Sequence, residues 1–211
     1  MRFPNALEGV KKIYKAEIIG LIGALIGIVA AILALAGASA GEDGLGLVAV
    51  GGILLIAMAV LLVISFIMNL VGLNKAKPDE ENFKYALYMV LIGIILSIVV
   101  GATKEGTLIH TLGESISKIC NLLVNYLVAT ALLNLANRLG DAAVAQKAKS
   151  VRTLLTIVWV IALVLNVMGD VLTSKAGIIA VVLALIASVV EIIAYIVYLG
   201  LLSKARGMLE A

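Results

Sequence analysis

Glu191 is the one charged residue that lies well inside an apolar stretch of this sequence, which makes it the first candidate for chemistry. Ser188, Glu191 and Tyr195 are spaced by three and four residues, which places them on one face of a helix. A charge at the bilayer centre costs about 2.5–3.5 kcal/mol on insertion scales, so such residues usually face protein or water. Glu191 therefore either binds a proton, a cation or a polar solute beside Tyr195, or forms a hydrogen bond to another helix and fixes packing. The second interpretation gains weight because no basic residue inside an apolar stretch could pair with it.

Asparagine side chains form a second polar set within the apolar stretches. Asn121 and Asn125 are four residues apart on one helix face, and Asn166 lies in a later stretch. Hydrogen bonding between helices is the ordinary role of such residues, worth about 0.6 kcal/mol each. Together with the acidic face, the candidates for ligand contact are Glu191, Tyr195, Asn166, Asn125, Asn121 and Ser188.

Small residues recur at four-residue spacing in two of the apolar stretches. Gly23 and Gly27 form one such pair, and Gly93 and Ser97 form another. This spacing lets two helix backbones approach closely. The pairs are predicted to pack helices together, either within the chain or between copies of it.

The composition requires an apolar solvent around these residues. The chain is 63% hydrophobic and 14% charged, whereas soluble domains are about 45–50% apolar and about 25% charged. A single cysteine, Cys120, and a single histidine, His110, exclude an intrachain disulfide, a cysteine-based zinc site and a histidine cluster. The sequence thus predicts an integral membrane protein without a metal site or cofactor.

Six stretches have the length and apolar character that a membrane-spanning helix needs, roughly 20 residues for a hydrocarbon core of about 30 Å. They are residues 18–38, 45–73, 85–101, 119–136, 154–168 and 177–202. Residues 106–118 and 142–149 also show helical spacing, which predicts an interfacial helix and a short amphipathic helix. The motif Ala38-Ser39-Ala40 is typical of a signal-peptide cleavage site, but Glu8 and Glu17 lie in the leader, so a retained first helix is predicted.

The loops between the six stretches differ strongly in charge. One side would carry thirteen lysines and arginines and the other side three. Basic residues concentrate on the cytoplasmic side of membrane proteins, which predicts that both termini are cytoplasmic. The net charge of +3 is explained by these loops, so no nucleic-acid partner is predicted.

An internal repeat relates the odd-numbered stretches. Residues 21–28 align with residues 91–98 at an offset of 70, and residues 160–167 follow after a further 69. The predicted fold is an all-α, polytopic bundle of six transmembrane helices in a single membrane domain, residues 1–211. Three parallel, pseudo-repeated helical hairpins build it, at roughly residues 11–77, 78–138 and 147–206.

Motifs of known chemistry are absent from the sequence. It contains no G-x-x-x-x-G-K-[ST], G-x-S-x-G or H-E-x-x-H pattern. The prolines, Pro4 and Pro78, lie outside the six stretches, which argues against the broken helices of many transporters. An enzyme is therefore not predicted, with an enzyme acting on lipids as the exception left open.

Two functions remain open for a cell-membrane protein of this kind. In the first, it binds or transports a small, largely apolar solute or a lipid in a central cavity lined by Glu191, Tyr195, Asn166 and Asn125. In the second, it is a non-transporting scaffold or accessory protein. Its small-residue pairs would then associate with another copy or another membrane protein, and its basic loops with lipid headgroups.

Overall fold

The computed structural model describes the backbone of residues 3–103, 107–172 and 177–211. Side chains are described in these ranges except at positions 42, 43, 108, 109, 111, 112, 114, 115, 118, 121, 162–172, 177–188 and 191. The described part is all-helical, with no strand. Its helices are α1 (Pro4–Ser39), α2 (Leu45–Ala76), α3 (Glu81–Ala102), α4 (Leu108–Leu139), α5 (Ala142–Leu172) and α6 (Gly177–Glu210), and a short 3-10 helix, Gly41–Gly44, joins the first two.

Five segments are long and apolar enough to cross a membrane. They are Pro4–Ser39, Leu45–Ala76, Glu81–Ala102, Leu122–Leu139 and Ile192–Glu210. The predicted span 154–168 lies in α5 and extends beyond the described side chains. The helical, membrane-type character predicted from composition is therefore confirmed.

The two extra helices predicted in the loops are not separate elements. Most of segment 106–118 forms the beginning of α4, and segment 142–149 forms the beginning of α5. Each helical pattern continues without a break into the following apolar stretch, because no proline or glycine at the junction with that stretch interrupts the backbone hydrogen bonds. The helices are consequently longer than the spans predicted from hydropathy.

A tight turn between α4 and α5 places these two helices side by side. Gly140 ends α4 with φ +75°, a left-handed conformation that glycine adopts without steric cost. The next residue, Asp141, caps α5, because its Oδ1 accepts a hydrogen bond of 2.9 Å from the backbone N–H of Val144. Helices adjacent in sequence pack against one another along the described chain, and α6 also contacts α1 and α4.

The predicted small-residue pairs pack helices within the chain. Gly23 faces Leu61 and Leu62 of α2, and Gly27 faces Met58 of the same helix. In the first turns of α1 the approach is closer still, since a Cβ on Gly9 would lie 2.5 Å from the carbonyl oxygen of Gly72. The α1–α2 pairing therefore depends on residues without large side chains.

The second pair serves the contact between α3 and α4. A Cβ on Gly93 would lie 3.7 Å from the Cβ of Cys120, and Ser97 Oγ lies 3.3 Å from Ser117 Oγ. Both small-residue pairs thus face a neighbouring helix of the same chain.

The buried core lies at the end of the bundle where the basic loops are found. It combines the first turns of α1, α3 and α5 with the last turns of α2, α4 and α6. Fully buried members include Val10, Ile13, Leu73, Phe83, Leu132, Leu135, Val151, Leu201 and Leu202. Toward the opposite end, large apolar side chains are exposed, such as Leu35, Ile53 and Ile98 at 73%, 67% and 67%. Such a surface suits a hydrocarbon environment.

Candidate functional site

An apolar groove runs between α4 and α5. It encloses about 250 Å³ and is lined by Leu122, Leu123, Tyr126, Leu155, Thr156 and Trp159. The hydroxyl of Thr156 is already used, since its Oγ1 donates a hydrogen bond of 2.9 Å to the carbonyl oxygen of Arg152. Pockets for drug-sized ligands span about 300–1,000 Å³. This groove is smaller, so it fits a hydrocarbon chain or a small apolar molecule.

Arg152 lies against the Tyr126 wall of the groove. Its Nη2 donates a hydrogen bond of 2.6 Å to Tyr126 Oη, and its guanidinium carbon lies 4.9 Å from the centre of the tyrosine ring. Its Nε is buried without a hydrogen-bond partner. None of the ion pairs in the described part of the chain involves Arg152. A positive charge with an unused donor therefore stands beside an apolar groove.

Further positive charge gathers where α5 and α6 meet. The ammonium nitrogen of Lys147 lies over Gly200, where a Cβ would come within 2.5 Å of it. Burial, followed by the charge of Lys204, lowers the pKa of Lys147. Neither lysine forms an ion pair with a described residue. This end of the bundle therefore has cationic groups available to an anion.

A second, wider pocket opens between α2, α3 and α4. It encloses about 340 Å³ and is lined by Phe66, Val90, Gly93, Ile94, Ser97, Ile98 and Ser117. Its polar groups are the paired hydroxyls of Ser97 and Ser117, and Ser97 Oγ also donates to the carbonyl oxygen of Gly93 at 2.9 Å. None of the described residues that line this pocket is charged, so they offer less to a charged headgroup than the α4–α5 groove does.

A polar cluster around Glu17 joins α1, α2 and α6. Glu17 Oε1 accepts a hydrogen bond of 3.1 Å from Asn69 Nδ2, and Glu17 Oε2 lies 3.0 Å from the hydroxyl of Tyr195. The same hydroxyl lies 2.9 Å from the main-chain oxygen of Glu17. One helical turn from Asn69, Ser65 Oγ donates to the carbonyl oxygen of Ala16 at 2.8 Å. The cluster therefore consists of one acid and neutral hydrogen-bonding groups.

Tyr195 is the predicted candidate for which the structure gives a polar partner. Its hydroxyl contacts Glu17 of α1; its predicted neighbour Glu191 has a side chain outside the described residues, so that pairing stays a prediction. Asn125 lies half-buried in α4. The side chains of Glu191 and Ser188 in α6, Asn166 in α5 and Asn121 in α4 lie outside the described residues. The central cavity predicted from these residues stays a prediction.

A buried acid, Glu80, lies where the α2–α3 loop meets α3. Its side chain is 3% exposed and forms an ion pair of 2.9 Å with Arg138 Nη2. Its Oε1 accepts hydrogen bonds of 2.8 Å from both Asn82 Nδ2 and Asn134 Nδ2. The preceding Asp79 holds the start of α1, because its Oδ2 accepts a hydrogen bond of 2.7 Å from the N–H of Ala6. This loop therefore ties α1, α3 and α4 together.

Sequence reasoning missed Glu17 as a site residue and used it only to argue against a signal peptide. It directly precedes the first apolar stretch, so it was assigned to the aqueous leader. The signal that points to it is the pair Ser65 and Asn69, two polar residues four positions apart on one face of an otherwise apolar helix. Such a face predicts a polar partner on the neighbouring helix.

Three features of the described residues could take part in binding or proton chemistry. They are the α4–α5 groove beside Arg152, the cluster around Glu17, and the ion pair of Glu80 and Arg138. Among the described residues, no group of three or more His, Cys, Asp or Glu could hold a metal ion. Comparison of the chain with protein-family models, curated proteins and solved structures finds no match.

Proposed function

We propose that this chain is an integral protein of the cell membrane that binds a lipid, or a small and largely apolar solute, in the groove between α4 and α5. The observation that carries the proposal is the combination of apolar walls with an arginine that forms no ion pair with a described carboxylate. A lipid has a group that suits each part of this site: its hydrocarbon chain would contact the apolar walls, and its charged headgroup would bind the guanidinium.

The groove is accessible from the side of the bundle. Leu123 and Trp159 on its walls are 37% and 39% exposed, whereas Leu155 at its base is 6% exposed. Arg152 precedes Leu155 and Thr156 by about one helical turn, so its charge lies at the end of the groove nearer the α4–α5 turn. A lipid entering from the bilayer would meet apolar walls along its chain and a cation at its head.

The contacts of the guanidinium support a phosphate as its ligand. The Tyr126 ring, whose centre lies 4.9 Å from the guanidinium carbon, and the hydrogen bond to Tyr126 Oη hold the Arg152 side chain, which reduces the side-chain freedom lost on binding an anion. Guanidinium groups bind phosphate through two parallel hydrogen bonds, and such charge-assisted bonds are roughly twice as strong as neutral ones. An anionic phospholipid is therefore the favoured occupant.

The membrane orientation and the three-hairpin repeat belong to the same proposal. The thirteen-to-three distribution of basic residues supports cytoplasmic termini. The side that carries these basic residues would face the anionic lipids of the cytoplasmic leaflet, which attract basic side chains by about 1 kcal/mol each near the surface. The two most extensive helix pairings among the described residues, α1 with α2 and α3 with α4, support hairpins as the building units, whereas α5 packs on α4 at least as extensively as on α6.

Native mass spectrometry of the detergent-extracted protein tests this function. Phosphatidylglycerol and phosphatidylcholine are titrated separately into wild type, Arg152→Gln and Lys149→Gln. The last variant is a matched control, since it removes an exposed positive charge from the same helix outside the groove. We expect Arg152→Gln to weaken phosphatidylglycerol binding about tenfold, the effect of losing one charge-assisted hydrogen bond of about 1.5 kcal/mol.

A variant that fills the groove tests the contribution of the apolar walls to binding separately from that of the positive charge. Leu123→Trp places a larger side chain on the partly exposed wall, and Ile157→Trp places the same side chain on the exposed surface of α5 outside the groove. We expect Leu123→Trp to reduce binding of both lipids, while Ile157→Trp leaves it unchanged. Equal lipid retention in all variants would remove the groove as the binding site.

A further inference from the structure

The Tyr195 hydroxyl lies within hydrogen-bond distance of two oxygen atoms of Glu17 but has only one hydrogen to donate. Tyr195 Oη lies 2.9 Å from the main-chain oxygen of Glu17 and 3.0 Å from Glu17 Oε2. A phenol has a single hydrogen and donates one straight hydrogen bond, whereas an ionised carboxylate only accepts. Both contacts are full hydrogen bonds only when Glu17 Oε2 carries a hydrogen of its own.

A proton on Glu17 gives every contact in the cluster a donor and an acceptor. Glu17 Oε2–H then donates to Tyr195 Oη, and the Tyr195 hydrogen goes to the main-chain oxygen of Glu17. Glu17 Oε1 still accepts from Asn69 Nδ2 at 3.1 Å. A closed pair of hydrogen bonds thereby links α1 to α6, with no net charge in the cluster.

The charges around Glu17 favour the same assignment. Its described polar neighbours are Asn69 on α2 and the titratable Tyr195 and Tyr198 on α6, none of which is a cation. The ion pairs within the described ranges do not include Glu17. Asn69 Oδ1 is buried without a hydrogen-bond partner, which adds partial negative charge beside the carboxyl. An unpaired carboxylate is costly in such surroundings, and a proton removes the cost.

We propose that Glu17 is a reversible proton-binding site at the junction of α1, α2 and α6, protonated in the arrangement described here. The hydroxyl of Tyr195 serves both states. It accepts a hydrogen bond from the neutral acid, and it turns its own hydrogen to Oε2 when the proton leaves to water as hydronium. Glu17 can therefore exchange a proton without losing its contact to α6.

Infrared spectroscopy of the full chain in detergent tests the proton directly. A protonated carboxyl gives a carbonyl stretching band that moves in heavy water and that a carboxylate lacks. We expect such a band at neutral pH in wild type, and its loss in Glu17→Gln. It should persist in Glu8→Gln, where the changed acid is exposed and paired with Lys75, and in Glu191→Gln, which changes the acid that lies inside the last apolar stretch.

A variant at Tyr195 tests whether the protonated carboxyl belongs to the cluster around Glu17. Tyr195→Phe should keep the band and shift it to higher frequency, because the carboxyl loses a hydrogen bond while the ring is retained. Size-exclusion and circular dichroism profiles that match wild type establish that each variant is folded. Tyr88→Phe is the control, since that tyrosine is exposed on α3.

Three outcomes would overturn the proposal. The first is a folded wild type without a protonated carboxyl band at neutral pH. The second is a band that survives unchanged in folded Glu17→Gln. The third is stabilisation of wild type, and not of Glu17→Gln, when sodium chloride replaces choline chloride at constant ionic strength, because the carboxylate would then hold a metal cation and not a proton.

Discussion

Glu80 is buried and Glu17 is partly buried, and their charge is compensated in different ways. Glu80 has an arginine at 2.9 Å and accepts hydrogen bonds from two asparagines. Among the described side chains, the Glu17 carboxyl contacts the neutral groups of Asn69 and Tyr195. The first arrangement suits an ionised carboxylate and the second suits a neutral acid. The environment of each acid, and not its residue type, decides which form it takes.

The position of each acid along its helix explains the difference. Glu80 stands at the start of α3, close to the aqueous end of the bundle, and its partner Arg138 keeps 54% of its side chain exposed. A long basic side chain can reach a buried acid from there while its head stays partly in water. Glu17 lies more than three turns inside α1, where a second charge would itself have to leave water.

The largest effect is expected from removing the cation beside Glu80. Arg138→Met should lower the free energy of unfolding by about 2 kcal/mol, because it leaves a buried carboxylate without its charge partner. The loss is smaller than for a fully buried pair because Arg138 is half-exposed. Unfolding in mixed micelles with increasing sodium dodecyl sulfate measures it.

The control for that experiment is the exposed pair of Lys75 and Glu8. Both side chains are about half exposed, at 48% and 54%, so Lys75→Met should cost at most about 1 kcal/mol. Equal losses in the two variants would show that the burial of Glu80 has no energetic consequence, and the contrast with Glu17 would lose its basis.

An intermediate effect is expected at Asp79, the acid whose charge faces the start of a helix. Its two oxygens accept hydrogen bonds from the N–H of Ala6 and from Asn5 Nδ2, at 2.7 and 3.1 Å. Asp79→Ala should cost about 1 kcal/mol, as for the loss of an N-terminal cap. Asp79→Asn keeps an acceptor and should recover part of this. If Asp79→Ala unfolds at the same detergent fraction as wild type, the loop does not hold α1.

The smallest effect is expected at Glu17 itself. Glu17→Gln replaces a neutral acid with a neutral amide of the same shape, so the free energy of unfolding should change by less than about 0.5 kcal/mol. Glu17→Leu removes the hydrogen bonds and should cost more, since Asn69 and Tyr195 lose a partner. A loss in Glu17→Gln as large as that in Arg138→Met would mean that Glu17 is ionised, which contradicts the proton assignment.

Sequence reasoning reached the helical class and most of the helices because long apolar stretches have few other solutions in lipid. Spacing predicted Gly23 and Gly93 as packing residues, but spacing alone could not say which helix each would face. The Glu80–Arg138 pair joins residues whose contact depends on how two loops meet, and no periodicity encodes that. Glu17 was overlooked because hydropathy places the boundary of a span without knowing how far the helix continues on either side.

The contacts of Glu17 also order events during biosynthesis. Asn69 follows it by 52 residues and Tyr195 by 178. At about 5–20 residues per second, Tyr195 leaves the ribosome roughly 10 to 35 seconds after Glu17. The pair of α1 and α2, which approach closely at Gly9 and Gly72, can form long before then. This pairing already brings Asn69 to Glu17. The last helix to be made therefore completes the surroundings of an acid in the first, so a chain truncated before α6 would carry Glu17 without its hydroxyl partner.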